Sequence, residues 1–290
     1  MKFFLDFLCI LILSQCITAS YVRSVSNYVN AKDCGKRLLP SANSDRIVGG
    51  DRARHGRHPW MIALYQRYDW GFGIVEDFKL RCGGAILNDN WIVTAASCFQ
   101  LTGQPVNHVV MTGLYKLSET DGPTVVRHKV SKIIIHSNYS EYYKDKYNIA
   151  LVKLTKPIDF AGSEGYANAI CLPEEDDEPA GFATVTGWGL TKNVPYGYEY
   201  LPDALQEANL PIVPVDTCAS TANNVCAGGK GKNICNWDSG DPLTQTDYRG
   251  ISTLLGIAVY GFSCGEKEYA AEFTRMSTYK NWIAKVMAEN

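Results

Sequence analysis

Three short stretches hold residues that could do chemistry. Ser239 lies in "WDSGDP", with carboxylates at Asp238 and Asp241 on either side. Ser97 lies in "TAASC", directly after the apolar run "NWIVTA", and Asn148 opens "NIALVKL". A serine hydroxyl becomes a useful nucleophile only when an adjacent base takes its proton. The hydroxyl of Ser97 cannot act as that base near pH 7, and the neutral amide of Asn148 cannot support a cation. The five histidines, His55, His58, His108, His128 and His136, all stand outside these stretches.

The elements that position these residues read as short β-strands. "WMIALYQ", "GGAILNDNWIVTA", "VSKIIIHSNY", "IALVKL", "FATVTGWG", "LPIVPV" and "LLGIAVYGF" are apolar runs separated by Gly, Pro, Asn and Asp. Many short strands with such turns between them predict an all-β barrel or sandwich. The tail "STYKNWIAKVMAEN" differs. Trp282, Ile283, Val286 and Met287 recur at helical spacing, and Ser277 is the expected N-cap of a C-terminal helix. The 290 residues suffice for one large or two small domains. A formal net charge of −2 gives no support to a nucleic-acid or polybasic membrane partner.

Residues 1–20 read as a secretory signal peptide: Lys2, an apolar stretch, then small residues. Residues 21–46 are polar and aperiodic, a loose leader expected to be held only through Cys34. Without Cys9 and Cys16 of the signal segment, eight of the 10 cysteines remain. An even count in a secreted chain argues for four disulfides among 105 pairings. Cys and His are not clustered as zinc requires, so no metal and no cofactor are expected.

In order and spacing, "RIVGG" (46–50), "CGGAIL" (82–87), "WIVTAASC" (91–98), "NIALVKL" (148–154), "VTGWG" (185–189), "GKNICNWDSGDPL" (231–243) and "GFSCG" (261–265) resemble a trypsin-like serine protease. The resemblance runs from Ile47 to the end. It implies two six-stranded antiparallel β-barrels with a C-terminal helix and an active site between the barrels. It also implies the pairs Cys34–Cys171, Cys82–Cys98, Cys218–Cys226 and Cys235–Cys264. A further bridge of the family would need cysteines at Ala183 and Gln245.

By the same resemblance Ser239 is the vestigial nucleophile, Ser97 stands in place of the histidine base and Asn148 in place of the aspartate. Replacing that aspartate by asparagine alone lowers turnover roughly 10⁴-fold, and loss of the base costs about 10⁶. The oxyanion donors fall at Trp237 and Ser239. Two readings of Trp237 stay open: its indole covers Ser239, or it swings into solvent. The specificity pocket maps to Asn233, Tyr260, Gly261 and Ala271, with Val259 on its wall. Asn233 removes the charge partner of a basic substrate side chain. Cleavage after Arg46 would free the amino group of Ile47 to pair with Asp238.

Lesser features complete the reading. "PEEDDEP" (173–179) reads as a solvated acidic loop or, alternatively, a dock for a basic partner. "NYS" makes Asn138 a glycosylation acceptor. "SETDGP" (118–123) reads as a turn, although a related loop binds calcium in some relatives. Three segments, 65–73, 141–148 and 195–202, hold eight of the 17 tyrosines, and form either a recognition surface or ordinary half-buried packing. His136 is expected in a surface loop. The expected function is that of a secreted, extracellular, catalytically inactive homologue. It would bind a protein partner, whether a protease, a protease substrate or an inhibitor, as regulator, adaptor or decoy in a proteolytic cascade. The alternative is a weakly active or altered serine endopeptidase using Ser239.

Overall fold

The computed structural model describes residues 30–40, 51–67, 77–142, 146–175, 177–190, 201–218, 223–229, 234, 238–260 and 270–290. The first barrel is closed by six antiparallel strands. They are β2 (Met61–Gln66), β3 (Lys79–Ile86), β4 (Trp91–Thr94), β5 (His108–Thr112), β6 (Val126–Ile135) and β7 (Ala150–Leu154), in the ring order β2-β3-β4-β7-β6-β5. Strand β2 shows why the two barrels fuse. Side chains alternate between the faces of a strand, and here Ile62 and Leu64 enter the main core while Met61, Ala63 and Tyr65 enter a second cluster. That second cluster contains Trp188 and Leu205 from the other half of the chain. Every residue of β2 is therefore buried, which explains why "MIALYQ" lacks an apolar–polar alternation.

The second ring is built from β8 (Phe182–Gly187), β9 (Gln206–Val213), β10 (Asn224–Ala227), β13 (Ala271–Arg275), β12 (Ser252–Tyr260) and β11 (Pro242–Thr246). It closes through β8–β11 and β8–β9 pairings, so both expected six-stranded barrels are present. The two-residue β1 (Asp51–Arg52) adds to the outside of β9. Val185, Leu210, Val225, Leu243, Leu255 and Phe273 fill this barrel.

Helix α1 (Met276–Glu289) follows β13 without a linker. Its N-cap is Arg275, which makes no side-chain cap bond, and not Ser277, which lies inside the helix and is 4% exposed. The strand runs straight into the helix, and the Arg275 N–H is spent on the Asn223 carbonyl, so there is no exposed turn for Ser277 to cap. The apolar spacing holds: Ile283 and Val286 are buried, and Trp282 and Met287 pack against the core.

The leader is held by much more than Cys34. Gly35 donates its N–H to Ala169 and accepts from Ser252, while the Asn168 amide donates to the carbonyls of Asp33 and Lys36. Asn30 and Leu172 exchange a pair of bonds. A polar segment without periodicity can still dock when its backbone groups find strand-end partners. The acidic loop is likewise engaged. Glu174 pairs with Lys280 at 2.7 Å, Glu178 takes Arg275 at 2.9 Å, and Asn281 donates to Glu175. The basic partner of "PEEDDEP" is this chain's own helix end. Three expected disulfides are formed, Cys34–Cys171, Cys82–Cys98 and Cys218–Cys226. Cys235 and Cys264 lie outside the described residues. Where a further bridge would need cysteines, Ala183 is buried, and the Gln245 amide donates to Ala180 and Phe182 at 2.8 and 2.9 Å. A side-chain amide thus ties the same strands non-covalently.

Candidate functional site

Ser97 sits in the 3₁₀ turn Ala96–Phe99, one residue beyond the end of β4 and its linker Ala95. Cys98 is bonded to Cys82 on β3, and the Thr94 hydroxyl donates to Gly83, so the turn is pinned from both sides. Asn148 precedes β7 and is fully buried. Its Oδ1 accepts the Ser97 N–H at 2.9 Å, and its Nδ2 donates to Ser97 Oγ at 3.3 Å. A backbone N–H can only donate, so the amide orientation is fixed by this contact. The Asn148 carbonyl accepts from the Thr274 hydroxyl on β13 at 3.0 Å, which joins the two barrels at this point. Tyr147, just before it, holds a left-handed φ of 55°. That conformation costs about 1 kcal/mol or more for a residue with a Cβ, and stacking of its ring on His136 at 4.9 Å helps hold it.

Ser239 lies in a four-residue turn from Asp238 to Asp241, closed by the Asp241 N–H on the Asp238 carbonyl at 3.0 Å. Gly240 has φ 85°, the positive value that the third position of such a turn requires. A Cβ there would overlap the Gly83 carbonyl and the Thr94 hydroxyl. The turn therefore presses on β3 and the end of β4, three residues from Ser97. Gly83 donates its N–H to the Ser239 carbonyl at 3.1 Å. The Ser239 hydroxyl points to the Val259 carbonyl at 3.4 Å. No hydrogen bond joins Ser239 to Ser97 or Asn148.

All five histidines are engaged elsewhere. His58 is buried against Glu207, and burial holds its pKa below the usual value despite that carboxylate. His108 bonds the Gln104 carbonyl, His128 the Thr112 hydroxyl, and His55 lies between Tyr115 and Tyr166. His136 does follow a strand end, but it is half-buried among Tyr147, Tyr279 and Trp282 rather than free in solvent. Burial in this group pushes the Tyr279 hydroxyl up to about 12.

On the pocket side, Val259 and Ala271 are buried, with Ala271 opposite Ala227 on β10. Asn233, Trp237 and Gly261 lie outside the described residues, as do Arg46, Ile47 and the side chain of Tyr260. Of the tyrosine segments, Tyr65 is buried and Tyr147 is packed, so both belong to the fold and not to a surface. Tyr142 is 94% exposed. Tyr68, Tyr143, Tyr196, Tyr198 and Tyr200 lie outside the described residues. Asn138 is exposed in the turn after β6, and 118–122 forms consecutive turns.

Two residues carry more than their sequence motifs suggest. Thr274 bridges the barrels at Asn148. Asp241, which reads only as a changed glycine, is 1% exposed with its Oδ2 lacking a hydrogen-bond partner.

The twin barrels, the seam between them and the ordered motifs define a trypsin-type protein. A profile of the Trypsin family matches residues 47–283, and the chain belongs to that family. It is 36% identical over 260 residues to U21-ctenitoxin-Pn1a of Phoneutria nigriventer, covering 83% of this chain and 100% of the toxin. It is 38% identical over 255 residues to the venom peptide isomerase heavy chain of Agelenopsis aperta, covering 83% and 100% respectively. Similarity to the serine proteinase stubble of Drosophila melanogaster is 34% over 267 residues, 87% of this chain and 32% of that protein.

Proposed function

We propose that this trypsin-family protein works by binding another protein and not by hydrolysing peptides. The observation that carries this reading is the reciprocal pairing of Ser97 with Asn148. Each satisfies the other: carbonyl to N–H at 2.9 Å and amide to hydroxyl at 3.3 Å. The pair is neutral and needs no imidazole, and among the described residues no histidine bonds Ser239. The Ser239 hydroxyl instead donates a hydrogen bond to the Val259 carbonyl at 3.4 Å. The names of the relatives, a toxin, an isomerase and a proteinase, belong to one family, so relationship alone assigns no activity to this chain.

The role this supports is that of a secreted regulator, adaptor or decoy in an extracellular proteolytic cascade. Disulfides of this kind persist in oxidising compartments, and three are formed. The partner would be a protease, a protease substrate or an inhibitor. Exposed Tyr142 and the tyrosines at 196, 198 and 200 are the proposed contact residues, since tyrosine gives large contact area at low entropic cost. Cleavage after Arg46, with Ile47 turning toward Asp238, is the proposed route of processing, and Asn138 the proposed glycan site. The test is a partner-capture assay on secreted protein. Ser239→Ala should leave capture unchanged. Joint replacement of Tyr196, Tyr198 and Tyr200 by Ala should weaken it by about 2 kcal/mol or more. The reverse pattern would return the function to catalysis.

A further inference from the structure

Asp241 is buried in the seam between the barrels. Its Oδ1 lies where a Cβ on Gly83 of β3 would stand, and its Oδ2 where a Cβ on Gly187 of β8 would stand. The carboxyl group thus fills a slot that two glycines, one from each barrel, leave open. Asp238, at the other end of the same turn, lies against Gly189 in the same way. The two carboxyl groups are within side-chain hydrogen-bond reach of one another. Asp241 is buried and Asp238 half-buried, and a charge on Asp238 opposes ionisation of the buried carboxyl beside it, so the pair holds one proton between them.

We propose that Asp238 and Asp241 form a proton-sharing clamp that fastens the turn carrying Ser239 into the seam between the barrels. Asp241 is the member that keeps the proton. Its burial, then the charge of Asp238, then their hydrogen bond raise its pKa well above the carboxylate range. Among the described residues its carboxyl lies against Gly83 on β3 and Gly187 on β8, and its backbone pairs with Ala258 on β12, none of which carries a charge. Among the charged residues of these strands, Arg81 on β3 is spent on the Ser97 and Cys98 carbonyls and Lys79 stands at the outer end. Glu207 on neighbouring β9 is held by His58 and Arg57. Asp238 is the charged group that acts on Asp241 among the described residues.

The backbone completes the clamp. The turn is tied to β3 by Gly83 N–H on Ser239, and to β12 by Gly240 N–H on Ala258 and Ala258 N–H on Asp241. Losing the shared proton places two like charges inside this network. The turn then opens to hydrate them, and the surface that displays Ser239 loosens with rising pH. The inference concerns the shape of the turn and holds whether or not Ser239 reacts.

The folded pKa of Asp241 lies above its unfolded value, so the native state binds the extra proton. The clamp is fully formed below the ordinary aspartate range and weakens as pH rises through the raised value. The clamp belongs to the chain not cleaved after Arg46, where no Ile47 ammonium reaches Asp238, and two measurements on that secreted full chain test it. Infrared difference spectra taken through a pH titration should show the carbonyl stretch of a neutral carboxyl group persisting above the ordinary aspartate range, absent from Asp241→Asn. Amide exchange at Gly83, Gly240 and Asp241, corrected for intrinsic base catalysis, should report opening. In the wild type the opening constant should rise about tenfold per pH unit across the window. Asp241→Asn, whose amide still donates to Asp238, should stay protected with no such slope. Asp241→Gly should exchange about tenfold faster than the Asn variant, again without slope. A spectrum unchanged by Asp241→Asn, the same pH slope in that variant, or full protection in Asp241→Gly would overturn the clamp.

Discussion

The two sides of the seam have been altered in opposite ways. On the first barrel, Ser97 and Asn148 form a closed neutral pair in which every exchanged hydrogen bond has a partner. On the second, the turn that carries Ser239 holds two carboxyl groups, of which Asp241 is buried and has an orphan oxygen. On the first side the two neutral side chains satisfy each other. The second retains the frame of a reactive turn and gains an electrostatic burden inside it. The two arrangements meet where the Ser239 turn presses on Gly83 and Thr94.

The largest effect should come from crowding the burdened side. Gly187→Ala places a methyl group on the Asp241 carboxyl, and overpacking of this kind should cost about 3 kcal/mol. Adding Asp241→Gly should recover most of the loss in a urea melt. If the double variant is no more stable than Gly187→Ala alone, Asp241 does not fill that slot.

A smaller effect is expected on the settled side. Asn148→Ala leaves the Ser97 N–H without its acceptor and the Ser97 hydroxyl without its amide donor, while the backbone carbonyl that takes the Thr274 hydroxyl stays. The expected loss is about 1–3 kcal/mol, without the pH slope predicted for Asp241. A pH slope unchanged from wild type in the Asn148 variant would sharpen the contrast, and a lost one would erase it.

The smallest effect lies outside the seam. Glu174→Gln removes the charge partner of Lys280, whose side chain is 2% exposed. Because Glu174 is 76% exposed, water offsets much of the loss, which should be about 1 kcal/mol. Lys280→Met should be nearly neutral, and a loss equal to a core truncation would contradict that ranking.

How much of this was legible before the fold depended on the kind of signal. Runs such as "IALVKL" and "FATVTGWG" became β7 and β8 because apolar period and turn residues are local properties. The places of Ser97 and Asn148 in the ordered motifs were readable as a resemblance, and so were the three disulfides that the structure forms. Their reciprocal hydrogen bonds were not readable, since they depend on two segments 51 residues apart. Ser277 looked like a cap because helix propensity is local, whereas the direct passage from β13 into α1 is set by tertiary packing. The leader looked loose because its partners, Ala169 and Ser252, are remote in sequence, while the acidic loop is exposed as read, its pairs with Arg275 and Lys280 being the part that sequence did not show. Asp241 was visible as a letter, but its slot is made by Gly83 and Gly187, from two different barrels.

The central claim is that no base activates Ser239. The direct measurement is reaction of the purified protein, cleaved after Arg46, with a serine-directed phosphonate, followed by mass spectrometry of the peptide containing Ser239. The account predicts no labelling above that of a Ser239→Ala control. Labelling that depends on Ser239 and proceeds at the rate of an active trypsin-family enzyme would contradict it.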